Sequence, residues 1–218
     1  MLKEAERINP DFWFEISIWD GNFWGDRKYG PTPNKSSFYN DLHQSYSPAR
    51  YAGYAQFGLW LLRPRVIREF RHSSDPLADF APYFSALAEI VDRIYSDETL
   101  KHFWRHGELV ANNKRLHPYQ VGITSELLKE ERWFLLDTNL HPPEPWTLDT
   151  EIPVYALALV DKDLHGQRRW LVYAHAPIEN RRDVLITIPD YGQIKIDVNV
   201  AGSFYLIEEQ GRVVKLIL

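Results

Sequence analysis

Glu15 is the residue of this chain whose setting most invites chemistry. It lies in the run Asp11 to Gly21, DFWFEISIWDG, between Pro10 and Gly21. Phe12, Trp13 and Phe14 are aromatic, and Ile16 and Ile18 are β-branched, so the run predicts a pleated and mostly buried strand. A carboxylate inside such a strand costs several kcal/mol unless it is paired or opens onto a wet cavity. Glu15 therefore reads as a satisfied structural carboxylate or as a working one, since both give this signature. The residues after it mix rings with hydrogen-bonding groups. Flat apolar rings beside polar side chains suit a sugar-binding cleft, so Trp19, Asp20, Trp24 and Tyr29 are candidate saccharide contacts.

Other constellations carry less. His102 and His106 stand four apart in HFWRH, a helical spacing that puts two imidazoles on one face for a metal. No Glu lies between them and no third ligand is near, so surface or capping histidines are the plainer reading and no metal is expected. His175 in the strand YAHAP reads as a core or interface histidine. Arg168-Arg169 and Arg181-Arg182 fall at turns between strands and read as solvated ends. No phosphate-cradling glycine loop and no Gly-x-Ser-x-Gly elbow occurs, so no nucleotide cofactor and no esterase chemistry is expected.

The elements that must position these groups change character along the chain. Leu2 to Ile8 predicts the tail of a helix, ended by Asn9-Pro10. Gly21 to Ser47 predicts a long loop ordered by its aromatics. Ser47-Pro48 is a helix-start signal, and that helix runs to Pro64. Arg65 to Arg71 predicts a short strand, with helices over Asp79 to Tyr95 and Asp97 to Gly107. This is α/β alternation and implies a parallel sheet. From Leu109 onward short β runs alternate with turn signals such as Asp190-Tyr191-Gly192 and Gln210-Gly211. About seven such runs read as an antiparallel sandwich. The change of texture divides the chain into residues 1–120 and 121–218, with the boundary between 109 and 130.

Composition narrows the class. A net charge of -5 argues against a general nucleic-acid binder, which shows a basic face. No stretch approaches the roughly 20 apolar residues of a membrane span. The charged start MLKEAERINP does not read as a signal peptide. The chain has no cysteine, which suits a reducing compartment such as the cytoplasm. Eight tryptophans are a high count and favour a dense core or stacking surfaces for flat ligands.

Several segments together resemble a known family. FEISIWDG, YAGYAQFGLWLLRPRVIREFR, WFLLDT, RRWLVYAHAP and the late strand GSFYL are similar to the C-terminal part of bacterial glycoside hydrolases. That resemblance implies the last β/α units of a (β/α)8 barrel followed by an antiparallel β-sandwich: α/β plus all-β. It implies that Glu15 is the nucleophile of a retaining enzyme, at the C-terminal end of the seventh barrel strand, and that RVIREFR is the eighth. It implies a poly- or oligosaccharide partner. The family's acid/base Glu comes from the fourth strand, which has no counterpart here, so the resemblance implies a fragment inactive by itself. The competing expectation is a non-catalytic carbohydrate-binding or interaction module built on the sandwich.

Overall fold

The structure is a computed structural model that describes residues 11, 13–17, 47–70, 77–112, 133–141, 152–162, 165–208 and 210–216. Among these the chain opens with β1 (Trp13–Ser17), α1 (Pro48–Leu62), β2 (Val66–Phe70), α2 (Leu77–Ser96) and α3 (Glu98–His106). Two short strands follow, β3 (Glu108–Leu109) and β4 (Asp137–Thr138). Six longer ones complete it: β5 (Tyr155–Lys162), β6 (Arg168–His175), β7 (Arg181–Ile188), β8 (Gly192–Val198), β9 (Ser203–Glu208) and β10 (Val213–Leu216).

Helix α1 starts and stops for visible reasons. The Ser47 side chain accepts from the Arg50 N–H at 3.2 Å, and Pro48 holds the first helical position, where a missing N–H costs nothing. At the other end Arg63 takes a left-handed conformation, φ 46, that few non-glycine residues adopt. Its guanidinium donates to the Gly107 carbonyl at 2.5 Å and the Trp104 carbonyl at 3.4 Å. Bonds from a charged donor are worth about 1.5–3 kcal/mol each, enough to hold that backbone. They also tie the end of α1 to the end of α3.

α1 is apolar nearly all round because it is covered nearly all round. Tyr51, Ala55, Leu59, Trp60 and Leu62 are buried on it, and so are Arg50 and Gln56. On one side Gly58 admits the Phe14 ring of β1, and the Tyr51 hydroxyl donates to the Glu69 carboxylate of β2 at 3.2 Å. On the other side Trp60 packs edge-on against Phe204 of β9, with ring centres 5.4 Å apart. Ile90 and Ile94 of α2 and Leu100 and Phe103 of α3 close the same core.

The central layer is a five-stranded antiparallel sheet in the order β10-β9-β6-β5-β3. Its two faces serve two cores. Leu157, Leu159, Leu171, Tyr173 and Phe204 face the helices. Ala156, Ala158, Val172, Ala174 and Ile207 face the three-stranded antiparallel sheet β4-β7-β8, which contributes Val184, Ile186, Ile194 and Ile196. A strand covered on both faces carries an unbroken apolar run, as β5 and β6 do. β8 is covered on one face, and its residues alternate buried and exposed from Gln193 to Val198.

The expectation of terminal β/α units of a (β/α)8 barrel is overturned. Among the described residues the parallel sheet has two strands, β1 and β2, and no barrel of alternating units is present. The reason lies after β2. α2 and α3 do not return the chain to the parallel sheet. α2 packs on α1 and α3, α3 packs on β5 of the five-stranded sheet, and α3 leads into β3, which pairs antiparallel with β5. The architecture is instead a helical layer, with α1 and α3 on a five-stranded antiparallel sheet and α2 packed on both helices, backed by a three-stranded sheet.

Gly53 marks the closest approach of α1 to this sheet. A Cβ there would meet the Val200 carbonyl and lie 2.7 Å from the His175 Nδ1. Alanine raises helix propensity by about 1 kcal/mol over glycine, but a backbone carbonyl cannot swing away, and overpacking costs about 1–3 kcal/mol. Gly53→Ala should lower stability by about 1 kcal/mol net, read from urea unfolding. Gly58→Ala should cost less, because what its Cβ meets is the Phe14 ring, a side chain that can turn.

Candidate functional site

Glu15 sits on an open sheet face and not in a buried strand. In the parallel register Trp13 pairs with Val66, Glu15 with Arg68 and Ile16 with Glu69. Phe14, Ile16 and Ile67 turn inward onto the helical core. Trp13, Glu15, Val66 and Arg68 occupy the opposite face, where Trp13 is 65% exposed. α1 covers one side of this two-stranded sheet, and that single cover is why the expected burial of Glu15 is not met. The Arg68 Nε lies 3.5 Å from the Glu15 Oε2, with side chains 62% and 46% exposed. A pair this exposed adds about 0–1 kcal/mol, so it leaves the carboxylate available to a ligand. The face thus offers an acid, a base and a flat ring in adjacent positions. Trp19, Asp20, Trp24 and Tyr29, the other candidate saccharide contacts, lie outside the described residues.

His175 ends β6 deep in the protein, fully buried, and neither ring nitrogen has a hydrogen-bond partner. It stacks on Tyr155 at 5.3 Å and takes the edge of Tyr54 at 4.8 Å. Burial, and then the charge of the nearby Arg50, pulls its pKa down to about 3. A neutral ring among aromatics is held by packing. Beside it the Tyr173 hydroxyl donates to the Gly53 carbonyl at 2.7 Å. Burial pushes that phenol well above its usual pKa, so it stays a donor.

His102 and His106 do share a helix face, with ring centres 5.0 Å apart. They line an open cleft of about 600 Å3 between α3 and the β5–β6 hairpin. Among the described residues no group of three or more His, Cys, Asp or Glu is placed to hold a metal. The cleft is basic: Lys101, Arg105, Lys162 and Arg169 join the two histidines and His165, with Glu98 as the acid in its wall. The acid that organises it is Asp161, whose carboxylate pairs with the His102 Nε2 and lies 3.7 Å from Arg169. Burial by itself would raise the Asp161 pKa. The Lys162 N–H, the His102 ring and Arg169 more than offset this and hold the carboxyl below its ordinary value.

Two sequence expectations shift here. Arg169 is not a solvated strand end, since its guanidinium lies 5.4 Å from the Phe103 ring centre and against Asp161. His102 is not a surface histidine without a role, because it pairs with a residue 59 positions away. The signal in the sequence was HFWRH itself. What it lacked was the hairpin that completes the cleft.

No protein-family model, no curated protein and no solved structure matches this chain. Among the described residues no helix is long and apolar enough to cross a membrane.

The buried imidazole makes a pH prediction. The folded-state pKa of His175, about 3, lies below its ordinary value of 6.5. Between those values the unfolded chain binds a proton that the folded chain refuses, so stability falls as pH drops through that window. The slope is about 1.4 kcal/mol per pH unit. Asp161 does not blur this window. A carboxylate with a depressed pKa loses its contribution only as pH falls below the unfolded value of about 3.9. His175→Phe keeps a ring on Tyr155 and removes the titration. Between about pH 6.5 and 4.5 it should lose roughly 2.5 kcal/mol less than the native chain, measured by urea unfolding at each pH. Parallel profiles for the two proteins would show that the folded imidazole protonates freely.

Proposed function

We propose that this chain is the C-terminal portion of a retaining glycoside hydrolase of poly- or oligosaccharide, without hydrolytic turnover by itself, with Glu15 as its nucleophilic carboxylate. The observation that carries the reading is the open face of the β1–β2 sheet, where Glu15 stands beside Arg68 with Trp13 two residues before it. An exposed indole gives a sugar ring a surface to stack on, and a carboxylate and a guanidinium bond its hydroxyls.

Retaining hydrolysis needs a second carboxyl roughly 5–5.5 Å from the nucleophile. The carboxylate on the paired strand, Glu69, turns to the other face and accepts from Tyr51. Glu69 therefore does not supply the acid/base group. A non-catalytic module working through the antiparallel sheets finds less support. Its three-stranded sheet turns Gln193, Lys195 and Asp197 outward, and the exposed aromatics among the described residues are Trp13, Phe84 and Tyr95, none of them on that sheet.

A 2-fluoro glycosyl fluoride tests the proposal directly, because fluoride leaves without help from a general acid. Across a panel of such sugars, at least one should leave a glycosyl adduct on the Glu15 peptide by mass spectrometry. Glu15→Gln should give none. Trp13→Ala should weaken binding of the matching oligosaccharide about fivefold to tenfold, equivalent to roughly 1–1.4 kcal/mol. No adduct and no saccharide binding across the panel would sink the reading.

A further inference from the structure

We infer that the basic cleft between α3 and the β5–β6 hairpin is a binding site for a small polyanion bearing tetrahedral oxyanion groups, a phosphate or sulfate ester. It is separate from the Glu15 face and does not depend on the saccharide reading.

The charge balance comes first. Lys101, Arg105, Lys162 and Arg169 place four cations around one cleft. Glu98 in the wall and Asp161 behind it supply two anions. Two net positive charges remain among the described residues with every imidazole neutral, on a chain whose total is -5. A concave basic site on an acidic protein focuses its field and draws anions in. The same four cations repel a divalent metal, so the histidines here do not act as a metal nest. A neutral imidazole keeps one N–H donor and a protonated one has two, so His106 at the rim can serve an oxyanion in either state.

Preorganisation is the second argument. Arg169 is held from two sides, by the Phe103 ring at 5.4 Å and by the Asp161 carboxylate at 3.7 Å. Its Nε is buried and has no hydrogen-bond partner. Lys101 donates to Glu98 at 2.6 Å, and that bond first, then the Lys101 charge, holds the Glu98 carboxyl below its ordinary pKa. Lys101, Arg169 and His102 are thus each fixed by an acid. Arg105, whose charge also acts on Glu98, and Lys162 are exposed, so they are available to close on a ligand. A guanidinium grips an oxyanion with a planar fork, while an ammonium acts as a point charge. The cleft's volume of about 600 Å3 falls in the range of small-molecule sites, so the ligand is of small-molecule size.

The test is calorimetric titration of the whole chain with inorganic pyrophosphate and, separately, with a disulfated disaccharide, at low ionic strength. At least one should bind saturably at one site per chain, and more weakly as salt approaches about 0.15 M. Arg105→Ala/Lys162→Ala should weaken that binding about a hundredfold and leave thermal unfolding unchanged, since both side chains are exposed. Arg105→Glu alone should weaken it more than Arg105→Ala. Binding of pyrophosphate alone assigns phosphate chemistry, and binding of the disaccharide alone assigns sulfate chemistry. Glu15→Gln should bind either probe as the native chain does, so the outcome here is independent of the glycosidase test. Absence of saturable binding for both probes, or native affinity in the double variant, overturns the inference.

Discussion

The contact on which the rest depends is the seating of α1 against β6. At Gly53 α1 comes so close to the end of β6 and the β8–β9 turn that a single methyl would strike the Val200 carbonyl and the His175 ring. The Tyr173 hydroxyl, itself buried, spends its hydrogen bond on the Gly53 carbonyl. That seat puts Trp60 on Phe204 and leaves α1 with its other side free to carry the β1–β2 sheet. Both candidate sites follow from it. The open Glu15 face exists because α1 covers the inner side of that sheet. The basic cleft exists because Arg63, ending α1, fastens the α3 terminus at Gly107 and so places His102 over the β5–β6 hairpin.

Two contrasting treatments of polar groups stand out in the interior. Some are neutral and packed, as His175 is among Tyr54, Tyr155 and Tyr173. Others are charged and paired, as Asp161 is with His102 and Arg169. The difference is solvent reach. A fully buried imidazole would bear the whole desolvation cost of a charge, so it gives the proton up. Asp161 stands at the cleft edge, where two donors and the Arg169 charge outweigh a partial loss of water. Glu15 belongs to neither group. It is half exposed beside an equally wet arginine, so little of its interaction energy is committed within the fold.

Local signals were readable without any structure. Ser47-Pro48 opens α1 and the approach of Pro64 ends it, because a cap and a fixed proline φ act within a few residues. Asp97 and Gly107 bracket α3 for the same reason. The unbroken run in β6 and the alternation in β8 both announced strands. The parallel pairing of β1 with β2 also followed from the strand–helix–strand order. What failed was the extrapolation from that one unit to a barrel. Alternation from 13 to 106 contains no statement of which sheet α2 and α3 will cover. The same limit hid the cleft: Arg168-Arg169 looked like a solvated turn because Phe103, which lies against Arg169, comes from a helix more than sixty residues earlier, and Asp161 faces Arg169 only through the β5–β6 register.

The sequence by itself determined the elements and their periods, the candidate acid at Glu15 and the paired imidazoles at His102 and His106. These depend on side-chain type, caps and turn residues, all of which act over a few positions. The tertiary structure alone decided which faces became interior. It left Glu15 in water by covering only one side of its sheet, and it drew His102 to Asp161 across 59 residues. Those outcomes depend on where apolar area is best buried, and that is a property of the whole packed chain.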